Sequence, residues 1–214
     1  MILMLNCSYK ASDSNTQFFL ELLKEKLDGE SRIIPLKQVL GGGFADFLRE
    51  LETAQALVIG APLYVDGLPA QAVKLLEMLL LCDKTPLDRK PVYVVSNLGF
   101  YEGEQICNLF DIVANWCVRM GMTYGGGLAV GAGPMIRMTK GLPLHQHITK
   151  GLQKLADHIR RGEAMDNYYA KTRIPRLVYL HAAHISFRRT LKKNGNPKFY
   201  SWRLYETNTE FHRG

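Results

Sequence analysis

The sequence predicts a doubly wound α/β fold: five parallel strands in the order 2-1-3-4-5, followed by a C-terminal helical, aromatic extension. Three observations predict it. Short apolar runs alternate with longer helical patterns over residues 1–161, and parallel strands need such crossover helices. The runs are continuously apolar, as in sheets covered on both faces. At 214 residues the chain has room for one such domain with an appendage.

In order, Ile2 to Leu5 reads as the first strand and residues 15–27 as a helix with Ser14 or Asn15 as its cap. Arg32 to Leu36 is the second strand. Gly41-Gly42-Gly43 reads as a flexible turn before a helix at 44–53. Ala56 to Gly60 and Val92 to Ser96 are the third and fourth strands, with helices following at 69–82 and 103–120. Leu128 to Gly131 is the fifth strand, with a helix at 143–161. Beyond it, Pro175 marks the first turn of a further helix and Asn194-Gly195 its stop, with Ile174, Leu177, Val178, His181, Ile185 and Leu191 as an apolar stripe. Residues 196–214 carry Phe199, Tyr200, Trp202, Leu204, Tyr205 and Phe211, too aromatic for a free tail. The domains expected are 1–165 and 166–214, the second packing on the first or on a partner subunit.

Ligands of such a sheet sit at the strand carboxyl ends, which directs attention to four loops. The first, residues 6–16, is dense in hydroxyl and amide groups and opens a helix, an arrangement that favours an anion, above all a phosphate. No G-x-x-x-x-G-K-[ST] pattern is present, so a single terminal phosphate fits better than a triphosphate. Low-molecular-weight phosphatases pair a Cys with an Arg six positions on; here Cys7 is followed at that distance by Asp13, which would repel the anion. Plain helix capping is the alternative reading.

The second loop, Ala61 to Pro69, is stiffened by two prolines and places Leu63, Tyr64 and Val65 where a loop would be polar, which suits a flat aromatic ligand. Edge-of-core packing is its alternative. The third, Asn97 to Gln105, repeats the mixture of glycines, amides and adjacent aromatics, with Glu102 and Glu104 as cap or dipole charges. In the fourth, Gly125 to Pro134, the glycines let backbone pass close to a ligand or a partner subunit.

The net charge of +7 is concentrated at the end. Residues 168–214 carry ten Lys or Arg against two acids, leaving 17 against 18 before them. These cations are spread along a patterned helix, so a solvated face or a self-association surface is favoured over a nucleic-acid site. Cys7, Cys82, Cys107 and Cys117 form no C-x-x-C pair and read as buried reduced thiols; no metal site is expected. The longest nearly apolar run, Leu75 to Cys82, is interrupted by Glu77, far short of the ~20 residues of a membrane span, and no leader pattern opens the chain. A cytoplasmic protein is the expectation.

Asn6-Cys7-Ser8 with Ser14-Asn15-Thr16, Pro62-Leu63-Tyr64 with Gly67, and Asn97-Leu98-Gly99-Phe100-Tyr101 together resemble the flavodoxin-like NAD(P)H-dependent FMN reductases and flavoprotein oxidoreductases over about residues 1–165. The Ile174-Pro175-Arg176 helix with Lys192-Lys193-Asn194-Gly195 is similar to an extension in part of that family. The resemblance implies a flavodoxin-like fold and FMN, with its phosphate on Ser8, Ser14, Asn15 and Thr16. Its ring would be held by Pro62, Leu63, Tyr64, Val65, Gly67, Asn97, Leu98, Gly99, Phe100, Tyr101 and Glu102. Cys7 departs from the small Gly often found there, and no iron–sulfur cysteine cluster is matched.

Hydride would pass from NAD(P)H through the flavin to a quinone, a nitro or azo compound or a similar small-molecule acceptor, with no catalytic side chain required. A homodimer or homotetramer is expected, without nucleic acid or membrane partners. An electron-transfer flavodoxin and a flavin-free binding module are the alternatives.

Overall fold

A computed structural model describes residues 1–10, 13–139 and 145–195. The apolar runs form parallel strands, each returned by a helix: β1 (Ile2–Asn6), α1 (Asn15–Lys24), β2 (Ser31–Pro35), α2 (Leu36–Gln38), α3 (Phe44–Thr53), β3 (Ala56–Pro62), α4 (Ala70–Leu80), β4 (Pro91–Asn97), α5 (Cys107–Met120), β5 (Thr123–Val130), α6 (Gly133–Met138), α7 (Gln146–Arg161) and β6 (Tyr168–Ala170). The sheet order is β2-β1-β3-β4-β5-β6, all parallel.

Among the described residues the expected five strands are therefore six. β6 pairs with Leu128–Val130 at the far edge and is three residues long, too short to stand out as an apolar run before the basic segment. Tertiary contacts fix it instead. Tyr124 Oη donates to Asn167 Oδ1 (2.7 Å), and the rings of Phe110 and Tyr169 lie 6.0 Å apart.

Alternate strand residues feed two cores. Leu3, Leu5, Val92 and Val94 meet Phe47, Leu75, Phe110 and Trp116 of α3, α4 and α5. Ile2, Met4, Tyr93 and Val95 meet Phe19, Leu20, Leu152 and Leu155 of α1 and α7. Burying side chains on both faces explains the lack of polar alternation. Gly60 lets α1 lie close on β3, since a Cβ there would sit 2.6 Å from Leu20 Cδ1.

The glycines of 125–127 lie inside β5 rather than in a ligand loop. Cβ atoms at Gly125 and Gly127 would run into the rings of Tyr93 and Phe110. Tyr93 is buried, and its hydroxyl, pushed up to about 12 by desolvation, donates to the Glu163 carbonyl at 2.9 Å. Gly41-Gly42-Gly43 forms a wide helical turn between α2 and α3, with Gly42 at φ +115°.

The chain divides into compact units, Met1–Arg173 and Ile174–Gly214. In the second, α8 (Arg176–Lys193) starts after Pro175 and is ended by Asn194 and by Gly195 at φ +76°. None of its residues is buried, and Leu177, Val178, Ile185 and Phe187 are exposed. The aromatic segment 196–214 lies outside the described residues. Among the described residues, no helix is long and apolar enough to cross a membrane.

Candidate functional site

Strand order reverses between β1 and β3, since the chain goes from β1 to β2 on one side and returns to β3 on the other. A crevice at that switch point is where a doubly wound sheet takes its ligand. Cys7 N–H donates to Gly60 O at 2.8 Å, so the first loop leaves directly beside β3.

Within that loop, Ser8 N–H donates to Asn6 Oδ1 (2.9 Å), and Asn6 Nδ2 donates to Gln17 Oε1 (2.8 Å). Ser14 is the N-cap of α1, its hydroxyl accepting from Gln17 N–H at 3.0 Å. Ser8, Ser14 and Thr16 are all buried. Ser14 therefore caps the helix and, as its cap, stands at the positive end of α1.

Thr16 Oγ1 accepts from the Asn97 amide at 2.9 Å, both groups being buried. This contact ties the start of α1 to the end of β4. β3 and β4 end in register at Pro62 and Asn97, and Leu63 N–H donates to Asn97 O (2.9 Å). All three expected loops therefore meet at one edge.

The second loop turns through Tyr64-Val65-Asp66-Gly67. Tyr64 and Gly67 exchange both backbone hydrogen bonds, at 3.0 and 3.1 Å. The left-handed positions are Val65 (φ +47°) and Asp66 (φ +59°), and not Gly67. A β-branched residue there costs on the order of 1 kcal/mol or more, and such strain collects at functional sites. Tyr64, Val65 and, across the edge, Phe100 and Tyr9 are exposed. Leu98 differs from Phe100: its side chain is buried in the core, so only its backbone is available to the site.

The third loop rests on the fourth. Leu98 N–H donates to Val130 O, Gly133 N–H to Leu98 O (2.9 Å) and Ala132 N–H to Phe100 O (2.6 Å). Gly131 is a close-approach glycine, but what approaches is the chain's own backbone, with Tyr101 O 2.2 Å from where a Cβ would stand. Glu102 precedes a short helical turn, Gly103–Ile106, that leads into α5. Arg137 of α6 hydrogen-bonds Asp13 in the first loop and holds its carboxyl below the usual range. Sequence reasoning missed this partner because the two lie 124 residues apart.

Cys7 and Cys117 are buried, and desolvation pushes both thiols up to about 12. That removes Cys7 as a nucleophile at neutral pH. Contrary to the expectation of four buried thiols, Cys107 is exposed and Cys82 half-buried. A thiol reagent at neutral pH is expected to modify Cys107 first, Cys107→Ser abolishing the fast phase, while Cys7 and Cys117 react only on unfolding; fast labelling of Cys7 would contradict its placement. Stability from the two protonated thiols is full below about pH 9, their ordinary value, and lost as pH rises through about 12.

A family model for NADPH-dependent FMN reductase matches residues 1–133. No curated protein sequence matches significantly. Among solved structures, an NADH:FMN oxidoreductase (EMOB, apo form) is 14% identical with a TM-score of 0.59, covering 82% of this chain and 96% of its own. The flavodoxin of Streptococcus pneumoniae TIGR4 is 17% identical with a TM-score of 0.55, covering 75% and 98%. An azoreductase of Bacillus anthracis str. Sterne is 17% identical with a TM-score of 0.51, again covering 75% and 98%. At these identities the structures establish a common flavodoxin-like fold. The family match spans more than half of the sequence, and the chain belongs to the NADPH-dependent FMN reductase family, enzymes of flavin-dependent NAD(P)H oxidoreduction.

Proposed function

We propose that the converging loops hold FMN and that the protein passes a hydride from NAD(P)H to a small-molecule acceptor such as a quinone, a nitro or an azo compound. The observation that carries this reading is the Thr16–Asn97 hydrogen bond, which sets an anion-favouring helix start beside a rim of exposed apolar residues. A phosphorylated flavin needs both within one molecule's reach. The buried Ser96 hydroxyl, one residue before Asn97, has no hydrogen-bond partner.

In this reading Ser8, Ser14, Asn15 and Thr16 hold the phosphate. Pro62 to Val65 with Gly67 and Asn97 to Glu102 hold the ring, Leu98 through its backbone. Bound there, FMN supplies the two-electron chemistry that links nicotinamide to acceptor. The protein's part is to fix the geometry and to exclude water. Asn97 keeps the Thr16 hydroxyl oriented, and Tyr64, Val65 and Phe100 form an apolar rim that holds the ring with one face open to donor and acceptor in turn.

A homodimer or homotetramer in the cytoplasm belongs to the same proposal. Val73 of α4 with Ile112 and Val118 of α5 are exposed apolar side chains that favour self-association.

The deciding experiment is a fluorescence titration of the purified protein with FMN, followed by its visible spectrum before and after anaerobic NADPH. Flavin quenching at micromolar FMN followed by rapid bleaching is the expected result. Absence of quenching refutes the cofactor, and quenching without bleaching marks an electron carrier instead.

A further inference from the structure

α6 brings an arginine to the anion loop. Its Ile136 is buried in the core against α1, and the next residue, Arg137, donates from Nη2 to Asp13 Oδ1. Asp13 immediately precedes the cap residue Ser14. Residues 5–16 contain one cation, Lys10, and one acid, Asp13, so the loop by itself is neutral; Arg137 brings the balance to +1. The pair is open to solvent, with side-chain exposures of 40% for Arg137 and 81% for Asp13, so a ligand can reach the guanidinium.

We propose that Arg137 is the residue that selects a phosphorylated flavin: Asp13 holds the guanidinium at the loop, and its remaining donors take the terminal phosphate dianion of FMN. A guanidinium has five donors in a planar fork, and the contact to Asp13 uses one of them. It matches two anions at once, one of them the phosphate that the Ser14–Thr16 helix start attracts. Asp13, unfavourable for an anion when read alone, becomes the positioning residue for the cation. The inference rests on the FMN reading of the site.

Fluorescence titration of the wild-type protein, Arg137→Ala, Arg137→Lys, Asp13→Asn and the double variant Asp13→Asn/Arg137→Ala, each with FMN and with riboflavin, tests it. Far-UV circular dichroism melts confirm that each variant is folded, and the exposure of the pair leaves the fold intact. Arg137→Ala is expected to weaken FMN about tenfold, the loss of one charge-assisted contact, with riboflavin unchanged. Arg137→Lys falls between, Asp13→Asn weakens FMN severalfold because the guanidinium loses the carboxylate that holds it at the loop, and the double variant is as weak as Arg137→Ala.

Wild-type affinity in the double variant would mean that Arg137 only neutralises Asp13, overturning the proposal. So would equal losses for FMN and riboflavin, or no loss at all. Failure of the wild-type protein to bind FMN refutes the cofactor reading and this inference with it; normal wild-type binding with an indifferent Arg137→Ala refutes this inference alone.

Discussion

Replacing Ser14 and Thr16 together by Ala is expected to weaken FMN binding about a hundredfold while the chain still folds. Each hydroxyl lost opposite a charged phosphate costs about 1.5 kcal/mol, and two such losses give about two decades in affinity. The cost to the fold is smaller. Ser14 accepts from Gln17 N–H as the cap of α1, and removing a cap costs about 1 kcal/mol. Thr16→Ala also strips the buried Asn97 amide of the hydroxyl it donates to, adding about 1 to 2 kcal/mol. In a domain of this size those losses lower the melting temperature by several degrees. Thr16→Ser keeps the hydroxyl and is expected to retain most of the affinity. Flavin binding unchanged in the double Ala variant would remove the first loop from the site.

The elements whose cause is local were legible. α1, α3 and α4 fall inside the helical patterns, and α7 ends where its pattern does, because each buries an apolar stripe against the sheet. Three loops were legible for a related reason: continuously apolar strands announce where the sheet ends, and the segments after Asn6, Pro62 and Asn97 are forced to one edge.

The features that were not legible depend on distant partners. β6 exists because β5 offers an open edge and Tyr124 offers a hydroxyl to Asn167, not because Tyr168–Ala170 is an apolar run. The glycines of β5 advertise backbone freedom, whereas the reason for them is the Tyr93 and Phe110 rings pressed against that strand. Left-handed φ values at Val65 and Asp66 arise from closing a two-residue turn between Tyr64 and Gly67. Arg137 reads as an ordinary basic residue until α6 is folded over the first loop. In each case the local signal is real and its object lies elsewhere in the chain.

Gly131→Ala is expected to be the most damaging single methyl addition at the site edge. The new Cβ would stand 2.2 Å from Tyr101 O, 2.9 Å from Gly103 N and 3.0 Å from Tyr101 C, all backbone atoms. No rotamer change relieves such a clash, so the loop 98–103 has to lift away from β5. Lifting it breaks the hydrogen bonds from Ala132 N–H to Phe100 O and from Gly133 N–H to Leu98 O. Two hydrogen bonds at about 1 kcal/mol each, together with overpacking of about 1 to 3 kcal/mol, put the destabilisation near 4 kcal/mol, or about 10 °C in melting temperature. The same displacement carries Phe100 and Tyr101 away from the proposed ring site, so flavin affinity is expected to fall even where the protein is still folded. Gly99→Ala is the informative contrast, because a Cβ there meets nothing within 4 Å and its backbone is not left-handed. That variant is expected to melt at or slightly above the wild-type temperature. Equal melting temperatures for the two variants would show that the Gly131–Tyr101 approach does not hold the third loop in place.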